Sequence, residues 1–266
     1  MTRLDDCNVL ITGAAGSSGV GIGVVQAVIE AGGRPLINGR NQQRLAEAKE
    51  RFPSAEVISG DIAVAADTKR MVAELAERVG RIHFLVNNAG IGLHKAPHLA
   101  EEADFDKLIG VDFRGTWLMT KAWLTHVLAE EGKANPAAAA VNISSVHAEK
   151  AMPGYGIYAG AKGAVESFTR GLAVHYGRLG VRFNCVAPGY VHSDQNLDLI
   201  RNWTDDPAGW VEDLIQNHQA TPQLIEPIDV GRTVVFLLSE AAKAVTGQTL
   251  TVDAGSTSLL YPMDFV

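Results

Sequence analysis

The strongest constraint on the fold is a rhythm. Short apolar runs recur near residues 7–12, 35–39, 55–60, 82–87, 138–144, 181–187 and 248–252, and helical patterns fill the intervals near 20–31, 42–51, 64–79, 101–131, 154–178 and 227–239. Runs such as HFLVNN and AAAAVNIS are apolar on successive residues instead of alternating, which is how a strand covered on both faces reads. Such strands need helices above and below, and β followed by α in regular alternation supplies them. The expectation is one α/β domain over residues 1–266, a doubly wound parallel sheet of about seven strands with helices on both faces.

One stretch, 189–226, breaks the rhythm. It is polar, carries Trp203 and Trp210, and reads as a long irregular segment. Such a segment inside a compact domain is usually a lid or a binding loop.

Composition excludes several classes. No window is long and apolar enough to span a membrane, and the N-terminus MTRLDDCNVL has no signal-peptide pattern, so a cytoplasmic protein is expected. Net charge is −7 without a basic stripe, which argues against nucleic acid as a partner. Cys7 and Cys185 are far apart and read as reduced thiols. The histidines form no HExxH and no clustered ligand spacing, so no metal is expected.

Between the first strand and the first helix lies TGAAGSSGVGIG, residues 12–23, with five glycines. Strand, glycine loop and helix form the usual frame for a phosphate, because glycines let backbone N–H groups approach and the helix N-terminus adds positive potential. The loop fails GxxxxGK[ST], since Ile22 stands where lysine is needed, and it contains no GxSxG. It fails GxGxxG because Gly23 follows Gly19-Val20-Gly21 one position early. The looser TGxxxGxG opens on Thr12 and Gly13, but Ser17 stands where its second glycine belongs.

A second constellation lies in NISSVHAEKAMPGYGIYAGAKGAVESFTRGLA. Ser145 ends the fifth strand, Tyr158 follows thirteen residues later, and Lys162 four after that. Four residues on a helix put Tyr158 and Lys162 on one face, one turn apart. Reducing a ketone needs a proton donor at the carbonyl oxygen as hydride reaches carbon. A tyrosine hydroxyl, with a reference pKa of about 10, serves poorly near neutral pH unless adjacent cations favour its phenolate.

With these motifs the chain resembles the short-chain dehydrogenase/reductase family from Val9 to Gly255, with its Rossmann fold, its TGxxxGxG cofactor loop and its Ser–Tyr–Lys set. The resemblance implies an NAD(P)-dependent oxidoreductase that moves a hydride between nicotinamide and a secondary alcohol or ketone. Two registers of the loop are open, Gly19 and Gly21 or Gly21 and Gly23. In the family about a dozen residues follow the last motif glycine up to the turn before the second strand; twelve separate Gly21 from Gly33 and ten separate Gly23 from it. The count selects Gly13, Gly19 and Gly21, a loop lengthened by two residues, with Val20 at the helix start and Ser17 and Ser18 as added hydroxyl donors.

Carried over position by position, the resemblance gives further expectations. Gly39 occupies the place of the acid that would bind a ribose 2′-hydroxyl, and Arg40 follows, which leans to NADP over NAD. Asp61 and Ile62 match the pair that contacts adenine, and Asn88, Ala89 and Gly90 of NNAG line the cofactor cleft. Ser145 orients the substrate oxygen, and Lys162 also holds the nicotinamide ribose. Pro188, Gly189 and Val191 lie over the nicotinamide, and Ser193 replaces the threonine that binds its carboxamide. Asp112 stands where the family usually has an asparagine. It keeps acceptor oxygens and loses amide donors, and its charge either strengthens the Lys162 ammonium or competes for it.

His147, Met152, Tyr155, His192 and the segment 194–222 are expected to face the substrate. Their mixed polar and aromatic character suits a polyol, a sugar derivative or a hydroxylated ring compound. Rival readings are a 3-oxoacyl thioester reductase and a non-catalytic dinucleotide sensor or scaffold; the three-residue gap in Tyr158-x-x-x-Lys162 disfavours an enoyl reductase. The family habit is a homotetramer packed through helices 101–131 and 154–178, and the apolar tail LLYPMDFV is a candidate for docking on a neighbouring subunit.

Overall fold

The computed structural model describes residues 2–129 and 138–265. Its sheet has seven parallel strands: β1 (Asn8–Ile11), β2 (Arg34–Gly39), β3 (Glu56–Ser59), β4 (Phe84–Asn87), β5 (Ala139–Ile143), β6 (Arg182–Pro188) and β7 (Thr249–Val252). The spatial order is β3-β2-β1-β4-β5-β6-β7, so the chain reverses its direction of travel between β1 and β4. In open α/β sheets that switch point leaves a crevice at the carboxyl ends of the strands.

Both faces of the sheet are covered, as the continuous apolar runs require. On one side α1 (Val20–Glu30), α2 (Gln42–Arg51) and α9 (Pro227–Leu238) bury Val24, Val28, Leu45, Val234 and Leu238 against Val9, Ile11 and Val141. On the other, α3 (Ala65–Val79), α5 (Thr116–Leu128) and α6 (Gly156–Tyr176) bury Met71, Leu75, Met119, Trp123 and Leu172 against Leu10, Leu85 and Phe183.

Helices α1 and α9 touch through their backbones. A Cβ on Gly23 would lie 2.0 Å from the Pro227 carbonyl oxygen, and one on Gly231 would lie 2.3 Å from that of Gly23. Gly23, the surplus glycine of the loop, is a helix-packing residue in the first turns of α1.

Two expectations need correction. The helix expected over 101–131 is α4 (Glu102–Ile109), a π-helical widening over Gly110–Gly115, and α5; residues 130 and 131 lie outside the described residues. The widening is a local change of hydrogen-bond step that an apolar repeat does not encode, and Asp112 sits in it. Nor is the segment 189–226 irregular. It holds α7 (Asp194–Ile200), capped by the Ser193 hydroxyl, and α8 (Pro207–Asn217), capped by the Asp206 carboxylate with proline at the first position.

Candidate active site

A cleft of about 1690 Å³ runs along the carboxyl ends of the strands, from the glycine loop to α7 and α8. At its floor the Thr12 hydroxyl accepts hydrogen bonds from the backbone N–H groups of Asn88 and Ala89, each at 3.0 Å, and ties β1 to β4 at the switch point. The tie brings the glycine loop against the NNAG turn. Gly13 has φ +66°, and a Cβ there would lie 2.7 Å from the Ala89 Cα; a Cβ on Gly21 would lie 2.7 Å from the Asn88 amide nitrogen. Only glycine fits either place.

Helix α1 begins on Gly19 with no side-chain cap and no acid in its first turn. Its orphan N–H groups and positive end are therefore left for an anion. A pyrophosphate fits this cradle. At the adenosine end Arg40 and Arg44 line the cleft with Asp61 and Ile62. Arg40 pairs with Asp61 at 3.3 Å, and Asn41 caps α2 and so fixes the turn that carries both arginines.

Deeper in the cleft, α6 presents half-buried Tyr158 and, one turn on, Lys162. The Lys162 ammonium is 5% exposed, lies 5.5 Å from the Tyr158 ring centroid and donates to the Ile143 carbonyl at 3.2 Å. Asp112, 1% exposed, approaches from behind. Its Oδ2 stands 3.1 Å from Lys162 Nζ, an ion pair without the alignment of a hydrogen bond, while its Oδ1 accepts from the Ile91 N–H at 2.8 Å. Burial pushes the Lys162 pKa down, but the negative charges available at Tyr158 and Asp112 push it up further, and the net shift is upward. Gly90 leaves room for the pair, since a Cβ there would lie 3.0 Å from Asp112 Oδ2 and 3.2 Å from Lys162 Nζ.

Ser145, buried at the end of β5, accepts the His147 N–H at 3.2 Å, which leaves its own O–H free to donate into the cleft. Behind this edge Asn87 bonds to Asn142 at 2.8 Å and Asn142 to Thr169 at 2.8 Å, so β4, β5 and α6 are joined by buried amides. The arrangement can bind a dinucleotide and offer a hydroxyl and a phenol to one substrate oxygen, with a fixed ammonium beside the phenol.

The cleft brings together nearly all the residues singled out from the sequence: Gly13, Ser18, Gly19, Val20, Gly21, Arg40, Asp61, Ile62, Asn88, Ala89, Gly90, Ser145, His147, Met152, Tyr155, Tyr158, Lys162, Pro188, Gly189, Val191 and Ser193. Three lie elsewhere. Asp112 sits behind Lys162. Ser17 and His192 line a separate hollow of about 350 Å³ on the outer side of the glycine loop, because Arg51 holds the Ser17 carbonyl outward at 2.8 Å and the His192 N–H is bound to the Ile225 carbonyl. The sequence reading missed Arg44, His94 and Tyr190. Arg44 was discernible as a second arginine one helical turn after Arg40; His94 and Tyr190 sit in loops without periodicity.

The fold and this cleft define a dinucleotide-binding α/β enzyme with a tyrosine–lysine pair beside its cofactor cradle. Residues 13–257 match a family model described as enoyl-(acyl carrier protein) reductase. Glucose 1-dehydrogenase from Gluconobacter oxydans is 32% identical over 94% of this chain and 91% of its own. L-fucose dehydrogenase from Bos taurus is 31% identical over 96% and 91%. A gluconate 5-dehydrogenase from Burkholderia cenocepacia, solved in complex with NADP and tartrate, superposes with a TM-score of 0.87 at 31% identity, covering 97% of this chain and 98% of that one. The chain belongs to the short-chain dehydrogenase/reductase family, and it is an NAD(P)-dependent alcohol oxidoreductase. Among the described residues no helix is long and apolar enough to cross a membrane, and no cluster of side chains could hold a metal ion.

Proposed function

We propose that the protein interconverts a secondary alcohol and its ketone on a polyol, a sugar derivative or a hydroxylated ring compound, with NADP preferred to NAD. The observation that carries the reading is the buried Lys162–Asp112 pair beneath Tyr158, which fixes an ammonium beside a phenol in the cleft. Bound NADP supplies the hydride acceptor, and NADPH the donor. In oxidation Tyr158 takes the proton of the substrate hydroxyl as the carbinol C–H hydride departs and the C=O bond forms; in reduction it returns that proton to the oxygen. Ser145 donates to the same oxygen and orients it. Lys162 holds its charge beside Tyr158 and would hold the nicotinamide ribose, and the Ser193 hydroxyl, whose oxygen accepts the Asn196 N–H, would donate to the carboxamide.

Two features support NADP. Gly39 leaves no carboxylate at the end of β2, and Arg40 and Arg44 give two cations where a 2′-phosphate would lie. The sugar dehydrogenases among the relatives support the substrate class. Residues 189–226 act as the lid of a single catalytic domain. Exposed Trp117 on α5 and Val174 on α6, 42% and 85% accessible, support a homotetramer packed on these helices. Two unpaired cysteines support a reducing, cytoplasmic location.

Nicotinamide fluorescence during titration with NADPH and NADH tests cofactor choice, and a panel of polyols and carbonyls tests turnover. Tyr158→Phe is expected to bind NADPH normally and to lose at least about 10²-fold in kcat; full activity of that variant would refute the mechanism. Light scattering at micromolar concentration tests the tetramer, and cell fractionation tests the location.

A further inference from the structure

The substrate end of the cleft is walled by rings in unbroken contact. His147 stacks on Tyr155 with centroids 4.4 Å apart and planes 16° apart; Tyr155 meets His94 at 4.9 Å, His94 meets Trp203 at 5.7 Å, Trp203 meets Trp210 at 5.9 Å, and Trp210 meets Tyr190 at 5.8 Å. The chain starts beside Tyr158, whose ring lies 5.8 Å from that of His147 and 6.0 Å from that of Tyr155. It crosses the helical segment over the cleft, where Trp203 and Trp210 flank the start of α8, and ends at Tyr190 in the loop after β6. Gly154, at φ +83°, makes the approach of His94 possible, since a Cβ there would lie 2.6 Å from the imidazole.

Most of these contacts are tilted or edge-on, and His94, Tyr155, Tyr190, Trp203 and Trp210 all line the cleft. A flat or saturated six-membered ring has a broad apolar face to lay on them, whereas an extended chain offers only a narrow one. The charges at this end give an anionic group little to bind. Asp198 pairs with Arg201 and Asp213 with His218. Lys150 is exposed and donates to the Thr257 carbonyl. Burial pushes the His147 pKa below its usual value, so its stacked ring is neutral at pH 7.

We propose that the substrate is an uncharged cyclic alcohol or ketone whose ring stacks on the His94–Trp203 part of this wall while its oxygen reaches Tyr158 and Ser145. The inference rests on the oxidoreductase reading above and narrows it: acyclic polyols, aldonates and acyl thioesters are excluded as preferred substrates, and His94 and Trp203 determine specificity.

The test sets ring probes against chain probes. D-glucose, myo-inositol and trans-cyclohexane-1,2-diol form the first set; D-sorbitol and D-gluconate with NADP, and acetoacetyl-CoA with NADPH, form the second. The wild type is expected to give the higher kcat/KM on a ring probe. Trp203→Leu is expected to lower the ring-to-chain ratio by about five- to tenfold, mainly through KM, and Trp203→Phe to restore most of it. A best kcat/KM on sorbitol, gluconate or acetoacetyl-CoA overturns the proposal, and so does an equal loss on both sets. His94→Leu serves as the second variant should Trp203→Leu fail to fold. If NADPH binds and no probe turns over, the oxidoreductase reading of this panel fails by itself. The ring proposal is then decided by tryptophan fluorescence of the cofactor-loaded protein: quenching by ring probes that Trp203→Leu abolishes supports it, and equal quenching in both proteins overturns it.

Discussion

Asp112→Asn isolates the charge behind Lys162. The substitution keeps an oxygen for the Ile91 N–H, now 2.8 Å from Oδ1, and keeps the Ile143 carbonyl on the ammonium. It removes one negative charge 3.1 Å from Lys162 Nζ. At that distance and an effective dielectric of about 20, the attraction lost is about 5 kcal/mol. The variant also escapes the cost of burying a carboxylate, so the net loss falls below the 3–5 kcal/mol typical of breaking a buried pair, at about 2–3 kcal/mol.

The pH dependence has a definite sign. The folded pKa of Lys162 is raised, so its stabilising contribution is fully present below the unfolded value of about 10.4 and is lost as pH rises through the folded value. Urea unfolding at a fixed protein concentration therefore shows the full gap between wild type and variant at pH 7. The gap narrows only above about pH 10.5. Equal stability at pH 7, or a gap that closes between pH 7 and 9, refutes the ion-pair reasoning.

Two further substitutions probe the frame and the cofactor. Gly23→Ala drives a Cβ to 2.0 Å from the Pro227 carbonyl, so α1 and α9 must separate; the cost is expected to reach about 3 kcal/mol, a fall in Tm of roughly 6–12 °C by differential scanning calorimetry, and an unchanged Tm refutes the close contact. Arg44→Ala is expected to raise the Kd for NADPH about three- to tenfold and leave that for NADH unchanged, since one exposed charge-assisted contact to a phosphate is lost; equal effects on both cofactors refute a 2′-phosphate site.

Most of the frame is legible in the sequence because it depends on burial. The expected strand at 35–39 is Arg34–Gly39, and that at 82–87 contains Phe84–Asn87; both are apolar runs that the sheet covers. The Ser145, Tyr158 and Lys162 spacing is legible for a related reason, since helix periodicity and the end of a buried strand fix where those side chains point. What escaped depends on contacts distant in sequence or on polar caps. Nothing near Gly23 announces Gly231 two hundred residues later. Helices α7 and α8 carry good caps in Ser193 and Asp206–Pro207 but bury only Ile200 and Val211, so their apolar periodicity is faint. His94 acquires its place from Tyr155, Gly154 and Trp203, none of which is near it in the chain.

The lengthened glycine loop follows the same logic. Two added residues could have blocked the cradle, yet Gly13 and Gly21 still pack on Ala89 and Asn88, and Gly19 at φ +99° still opens α1. The extra length is taken up on the outer side. Ser17 is exposed, and its carbonyl is held by Arg51 from the last turn of α2, while Ser18 alone of the two serines lines the cleft. The guanidinium of Arg51 also lies over the Phe52 ring at 5.1 Å, so the anchor is itself braced. Of the two serines that the sequence offered to a phosphate, only Ser18 lines the cleft, and it borders the outer hollow as well. Ser17 and Arg51 thus form a strut outside the path from Gly13 to Gly21.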